Sequence, residues 1–331
     1  MTIATGIGSM PGEDQAAFET ALRVVLDQLP DLPHLPEVPG RGAVASMTGR
    51  ALAVVAGLGF DLQPAGWRLT DAAGVDHRRA RSLLAQDLDG LEAAVDGYAG
   101  DFKIQLAGPW TLSATVEKPR GDKVLSDVGA RRDLAQALAE GAREHLRDVR
   151  RRVPGAARLV VQVDEPALTA VLGGGVPTAS GFGRHRTVHP PEASEHLSWL
   201  LAAIADEGGE PWVHSCAPDA PLQLLRGAGA RALSVDLALM RAADHEVLGE
   251  ALEAGESVVL GIVASLDPAT PPSDVALAER VRRWLDMLGI DPESVAPQLL
   301  VSPTCGLAGA SYDGSRRALA LARTTAQALN G

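Results

Sequence analysis

Apolar positions along the chain follow two periods that rarely overlap. Short aliphatic and β-branched runs alternate with longer stretches whose apolar residues lie three or four apart. Eight of the short runs read as strands: TIATGIG at Thr2, HLPEV at His34, FKIQLAG at Phe102, LVVQVDE at Leu159, PWVHSC at Pro211, ALSVDL at Ala232, VVLGIVA at Val258 and QLLVSPTC at Gln298. Several are apolar at consecutive positions, the pattern of parallel strands covered on both faces. Between them, residues 135–153, Asp274–Leu288 and Tyr312–Leu329 each set an apolar stripe against a charged face, as amphipathic helices do. Roughly eight such βα units make the count of a single (β/α)8 TIM barrel. No shift in composition marks a boundary, so the barrel is expected to take the whole chain, 1–331, as one domain.

Two regions break the rhythm. The stretch between the second and third strands is long enough to be an insertion, and within it residues 60–70 (FDLQPAGWRLT) read as a hairpin turning around Pro64 and Gly66. After the fourth strand, residues 172–192 (LGGGVPTASGFGRHRTVHPPE) are rich in Gly, Pro and polar residues, a long loop and a candidate lid.

Composition narrows the function classes. With 331 residues, 46% of them hydrophobic, the chain can build a core without help from a disulfide or a metal. A bound metal would therefore serve chemistry. The net charge of −12 argues against nucleic acid as a partner, and the cluster Arg150, Arg151 and Arg152 falls at a helix end, where cations meet the helix dipole. No run approaches the ~20 apolar residues that span a bilayer, so no membrane partner is expected. The opening MTIATGIGSMPG lacks the basic start and apolar core of a secretion signal, and two cysteines make no disulfide framework. The cytoplasm is the expected location.

In a parallel barrel, functional side chains gather where the strands end. His214 and Cys216 close the fifth strand two residues apart, hence on one face. Cys305 closes the eighth strand and Asp236 the sixth. One imidazole, two thiolates and a carboxylate form a set that suits zinc, and such a soft site suits alkylation of a thiol. Each residue alone reads as an ordinary buried cysteine or histidine; both cysteines and a histidine at strand ends favour a metal. Asp164 and Glu165 end the fourth strand, with Asp164 read as a substrate or acid–base group and Glu165 as its support. Gly6, Gly8 and Ser9 form a turn whose backbone N–H groups can meet a carboxylate. In the long loop, residues 173–175 are glycines, and Arg184, His185 and Arg186 either meet an anionic ligand or form a solvated charged segment.

The pieces IGSMP at Ile7, AGPWT at Ala107, VQVDEPAL at Val161, HSC at His214, SVD at Ser234 and SPTCGL at Ser302 run in one order over nearly the whole chain. In them the sequence resembles the catalytic half of cobalamin-independent methionine synthase and its short single-barrel relatives. The resemblance implies zinc held by His214, Cys216 and Cys305, with Asp236 where the family has a glutamate. It implies homocysteine as the thiol substrate, its ammonium on Asp164, its carboxylate on the backbone at Ser9, and Glu37 as a second ammonium partner. The family carries an aspartate and a histidine after the seventh strand; here the segment is GIVASLDPATPPS, without histidine, and Asp267 is the candidate to replace them. The family's N-terminal barrel has no counterpart in this sequence. The methyl donor is left open between a methyl-folate, a methylated corrinoid protein and another small methyl compound. Two other readings stand beside this one: alkylation of a different thiol, of the coenzyme M type, and a non-catalytic zinc-binding barrel.

Overall fold

The computed structural model describes residues 1–331. Nine strands form: β1 (Ile3–Ala4), β2 (Gly59–Gln63), β3 (Gly66–Thr70), β4 (Gly100–Ala107), β5 (Ala156–Asp164), β6 (Glu210–Ser215), β7 (Ala232–Asp236), β8 (Ser257–Val263) and β9 (Leu299–Pro303). Seven of them make one parallel sheet in the order β1-β9-β8-β7-β6-β5-β4, with helices in the crossovers. The sheet curls, as right-handed βα crossovers on a twisted sheet require. The other two, β2 and β3, are the expected antiparallel hairpin; Gln63 pairs with Gly66, so Pro64 and Ala65 make the turn.

Seven of the eight expected strands are thus present in the sheet, and HLPEV differs. It makes isolated parallel bridges only, His34 with Lys103 of β4 and Glu37 with Ser9 just beyond β1. The cause lies in its sequence. Pro33 and Pro36 flank His34 and Leu35 and remove amide donors that a continuous ladder needs. Residues between them still bond to both sides: Lys103 N–H to Pro33 O at 2.9 Å, Leu35 N–H to Lys103 O at 2.9 Å, Glu37 N–H to Gly8 O at 3.0 Å, and Met10 N–H to Glu37 O at 2.7 Å.

Alternation along each strand sends one set of side chains outward to the helices and the other into the curl. The outward set and the helices share a core running from Ala4 to Ala326. The inward set begins with a separate apolar cluster of Leu32, Val160, Trp212, Ala232, Val259 and Leu300. Two residues further along, the inward positions become polar while remaining buried: Gln162, His214, Ser234 and Ser302. Lys103 joins this layer from β4. The strand ends therefore carry polar groups on an apolar floor.

Helices Asp274–Leu288 and Tyr312–Leu329 have the expected bounds, set by the caps Ser273 and Ser311, whose side chains accept from Ala276 N and Gly314 N. The helix expected over 135–153 starts earlier, as Val128–Arg152, because Asp127 caps it at Ala130 N. The region between HLPEV and β4 holds helices Met47–Val54 and Val75–Ala94 around the hairpin. In the expected loop 172–192, Pro177 and Arg184 form an antiparallel bridge, and helix Pro190–Asp206 begins before the loop was expected to end. Asp122 ties this segment down, accepting from Ala179 N at 2.8 Å and lying 3.0 Å from His185 Nε2. Arg184 reaches the Gly175 carbonyl, and no anionic ligand is needed to hold it. No helix is long and apolar enough to cross a membrane.

Candidate metal centre and substrate site

His214 lies near the end of β6, Cys216 just past it, and Cys305 two residues past β9. Parallel pairing through β7 and β8 holds these ends around one mouth. Their ligand atoms all lie within 4.8 Å of one another, and the two Sγ atoms are 2.9 Å apart. His214 Nδ1 is 2.9 Å from Ser234 Oγ on the neighbouring strand, which orients the ring. Its Nε2 is buried with no hydrogen-bond partner. A buried nitrogen lone pair or N–H without a partner is costly, and a metal between it and the sulfurs would satisfy it.

The thiols behave as a pair that shares one proton. Contact with Cys216, then the neighbouring His214 ring, draws the Cys305 thiol down to about 4. Cys216 is pushed up, first by that same contact with Cys305 and then by burial. The contact thus favours the ionised form of one sulfur over the other, and a thiolate is the form a metal binds. An imidazole nitrogen and two sulfurs, half-enclosed at strand ends, fit a zinc ion by donor chemistry.

Asp236 ends β7 on the same face as Ser234, but its carboxylate accepts from Ala238 N at 2.9 Å and caps the turn Leu237–Leu239. It stands outside the His–Cys–Cys group. Asp267 is further removed from that chemistry. Its Oδ2 accepts from Ser311 N at 2.8 Å and its Oδ1 lies 3.5 Å from Arg317, so it fastens the loop after β8 to the start of helix Tyr312–Leu329.

Asp164 ends β5 directly opposite His214 in the β5–β6 register. Its Oδ1 accepts from Gln162 Nε2 at 2.7 Å. Burial raises its pKa to about 7; His214 and Lys103 pull against that shift, while Glu37 adds to it. Glu37, also buried, is raised by the same desolvation and held back by Arg50, whose Nε is 3.4 Å from Glu37 Oε1. Arg50 in turn is gripped by Asp87, which Arg41 also clasps with two bonds of 2.7 Å. Ser9 is tied to the metal side: its carbonyl accepts from Leu307 N at 2.8 Å. A Cβ on Gly306 would come within 2.1 Å of Ser9 Oγ, so the glycine after Cys305 lets the two turns touch with the Ser9 side chain in its present rotamer.

Glu165 is turned away from the mouth. Its Oε1 accepts from Trp110 N at 2.9 Å, and its Oε2 from Thr111 N at 2.8 Å and Thr111 Oγ1 at 2.7 Å. Gly108 makes room, since a Cβ there would meet Glu165 Oε1 at 2.3 Å. Both oxygens are engaged in joining the segment after β4 to β5.

The sequence reading passed over Lys103, Gln162 and Arg50. Lys103 is fully buried; its Nζ donates to Ile7 O at 3.0 Å and to Gln162 Oε1 at 2.8 Å. Desolvation lowers its pKa to about 7, and Asp164 and Glu37 pull it back up. The sequence offered only a partial signal: a lysine between Phe102 and Ile104 in a strand, with a glutamine two residues before an aspartate on the next.

No curated protein matches the sequence. Among solved structures, a B12-independent methionine synthase from Shewanella sp. W3-18-1, in complex with selenomethionine, is similar over 100% of this chain and 98% of its own, with a TM-score of 0.65 and 15% identity. That likeness establishes a shared fold. A GH5_18 structure from Streptomyces cattleya in complex with GlcNAc covers 99% of this chain and 80% of its own at a TM-score of 0.47 and 15% identity. The family model for the catalytic domain of cobalamin-independent synthase matches residues 110–328, a span that includes Asp164, His214, Cys216 and Cys305, and the chain belongs to that family.

Proposed function

We propose that the chain is a zinc-dependent methyltransferase that methylates the sulfur of homocysteine to give methionine. The observation that carries this reading is the convergence of His214, Cys216 and Cys305 within 4.8 Å, with the His214 Nε2 buried and unpartnered. Family membership supports the reaction type. In this reading residues 1–331 act as one domain, and the bridges of His34 and Glu37 mark the eighth strand position of a (β/α)8 ring.

His214, Cys216 and Cys305 would hold the zinc, with Asp236 as fourth ligand once its side chain leaves Ala238 N. Bound there, zinc supplies a Lewis acid that lets a substrate thiol ionise near neutral pH while its sulfur stays nucleophilic. Asp164 receives the substrate ammonium. An arriving cation favours the charged carboxylate and offsets the desolvation that raises its pKa. The turn at Ser9 meets the substrate carboxylate, and Glu37 faces the ammonium as a second partner. Fixing both ends of the amino acid orients its sulfur for in-line attack, and proximity of this kind supplies much of the rate. Glu165 and Asp267 carry no step; their oxygens are engaged in holding loops. The donor in this reading is a free methyl-folate, because a cobalamin-independent family argues against the methylated corrinoid protein that the sequence left open. The expected setting is the cytoplasm, where thiols stay reduced.

The test combines metal analysis with product formation. Protein purified without chelator is expected to carry stoichiometric zinc and to form methionine from homocysteine and methyl-folate. Cys305→Ser is expected to lose both. Absence of zinc from the wild type, or full zinc content and activity in the variant, would sink the reading.

A further inference from the structure

We propose that Lys103 and Gln162 form a positioning device that sets the spacing between the carboxylate-binding and ammonium-binding ends of the site, and so restricts it to free α-amino acid thiols. The inference rests on the reading of Asp164 and Ser9 given above.

The two residues form one connected set of hydrogen bonds. Ile7 O accepts from Lys103 Nζ at 3.0 Å and from Gln162 Nε2 at 2.8 Å. Ile7 immediately precedes Gly8 and Ser9, so both donors anchor the turn that meets the carboxylate. The same Gln162 Nε2 donates to Asp164 Oδ1 at 2.7 Å, which anchors the ammonium end. Gln162 Oε1 accepts from Lys103 Nζ at 2.8 Å. Lys103 and Gln162 are 0% and 1% exposed, so water cannot substitute for any of these contacts.

Lys103 decides which way the glutamine amide points. An ammonium has donors only, so it accepts no bond from an amide NH2. With Nζ beside it, Gln162 must present its oxygen there and its N–H groups to Ile7 and Asp164. Were Lys103 neutral and apolar, the amide could flip and set its oxygen against the Asp164 carboxylate. In the observed orientation Oδ1 of Asp164 is occupied by a donor, which leaves Oδ2 without a protein partner and free for a substrate ammonium. The charges also suit a zwitterion: Lys103, Arg50 and Arg41 face Asp164, Glu37 and Asp87, so the buried set is balanced before substrate enters.

Calorimetric titration of the zinc-loaded protein with three thiols tests the device: homocysteine, 4-mercaptobutanoate, which lacks the ammonium, and 3-mercaptopropylamine, which lacks the carboxylate. The wild type is expected to prefer homocysteine over both. In Lys103→Met and Gln162→Leu the homocysteine Kd should weaken by about tenfold to a hundredfold. The Kd values of the truncated thiols should barely move and zinc content should be unchanged. If Lys103→Met does not fold, Gln162→Leu carries the test alone. A folded, zinc-replete variant that keeps the preference for homocysteine overturns the proposal, and so does equal weakening of all three thiols, which marks general damage. A zinc-loaded wild type without preference for homocysteine removes the reading of the site, and this inference with it.

Discussion

Glu165 and Asp164 are neighbours in sequence with opposite assignments, and the difference is one of partners. Glu165 takes three donors from Trp110 and Thr111, an environment that fits an acceptor-only carboxylate although burial raises its pKa to about 7. Glu165→Gln would turn an NH2 toward those donors. The expected cost is about 1–3 kcal/mol of stability, read by urea unfolding, with KM for homocysteine unchanged. A KM raised tenfold in a stable variant would instead make Glu165 a substrate contact. The grouping of His214, Cys216 and Cys305 was legible in the sequence because both cysteines and a histidine stand at strand ends, where a barrel gathers its chemistry. Lys103 was not, because a lone lysine reads as solvent-facing until the pairing of β4 with His34 and β5 shows that its side chain is enclosed.

At the scale of elements, the loop after β8 shows how a motif can depart from a family pattern and keep a local purpose. Asp267 stands in the segment where the catalytic histidine was missed, yet its carboxylate bonds to Ser311 N at the start of helix Tyr312–Leu329. Gly314 leaves the space it occupies, since a Cβ there would meet Asp267 Oδ1 at 1.6 Å. Anions at a helix start are favoured by its free N–H groups and dipole. Asp267→Ala is therefore expected to lower Tm by a few degrees and to leave kcat within about twofold. A collapse of kcat at unchanged Tm would restore Asp267 as a catalytic group. The hairpin β2–β3 was readable from Pro64 and Gly66, whereas the bridging segment at His34 was readable as a strand only in its aliphatic residues; its prolines limit it to single bridges. Sequence patterns report which face is apolar, and they report less well how many backbone donors are left to pair.

For the molecule as a whole, buried titratable groups set how stability responds to acid. His34 is fully buried, and desolvation first, then the Lys103 charge, hold it at about 3 against an ordinary value of 6.5. A depressed value of this kind contributes stability that is complete above 6.5 and is lost as pH falls toward 3. Asp164 and Glu165, with raised values, add stability on acidification, so the His34 contribution is read as a difference. As pH falls from 7.5 to 4, the urea midpoint of the His34→Gln protein should rise relative to that of the wild type. Equal slopes would mean that His34 accepts a proton without cost. The α/β class and seven strands of the parallel sheet were plain from the two periods of the sequence; the buried charge balance was not, because it depends on which distant residues share one enclosure. The order of the sheet has a consequence for how the chain is made. Ile3 of β1 pairs with Leu300 of β9, so the first strand of the sheet has no strand partner until almost everything else has left the ribosome. During synthesis the Ile7–Ser9 turn has neither β9 beside it nor Leu307 to bond to, and the nascent protein is a curled sheet with one open edge. The Ile7–Ser9 turn would then be completed in a late step, when Leu299–Pro303 and Leu307 reach it.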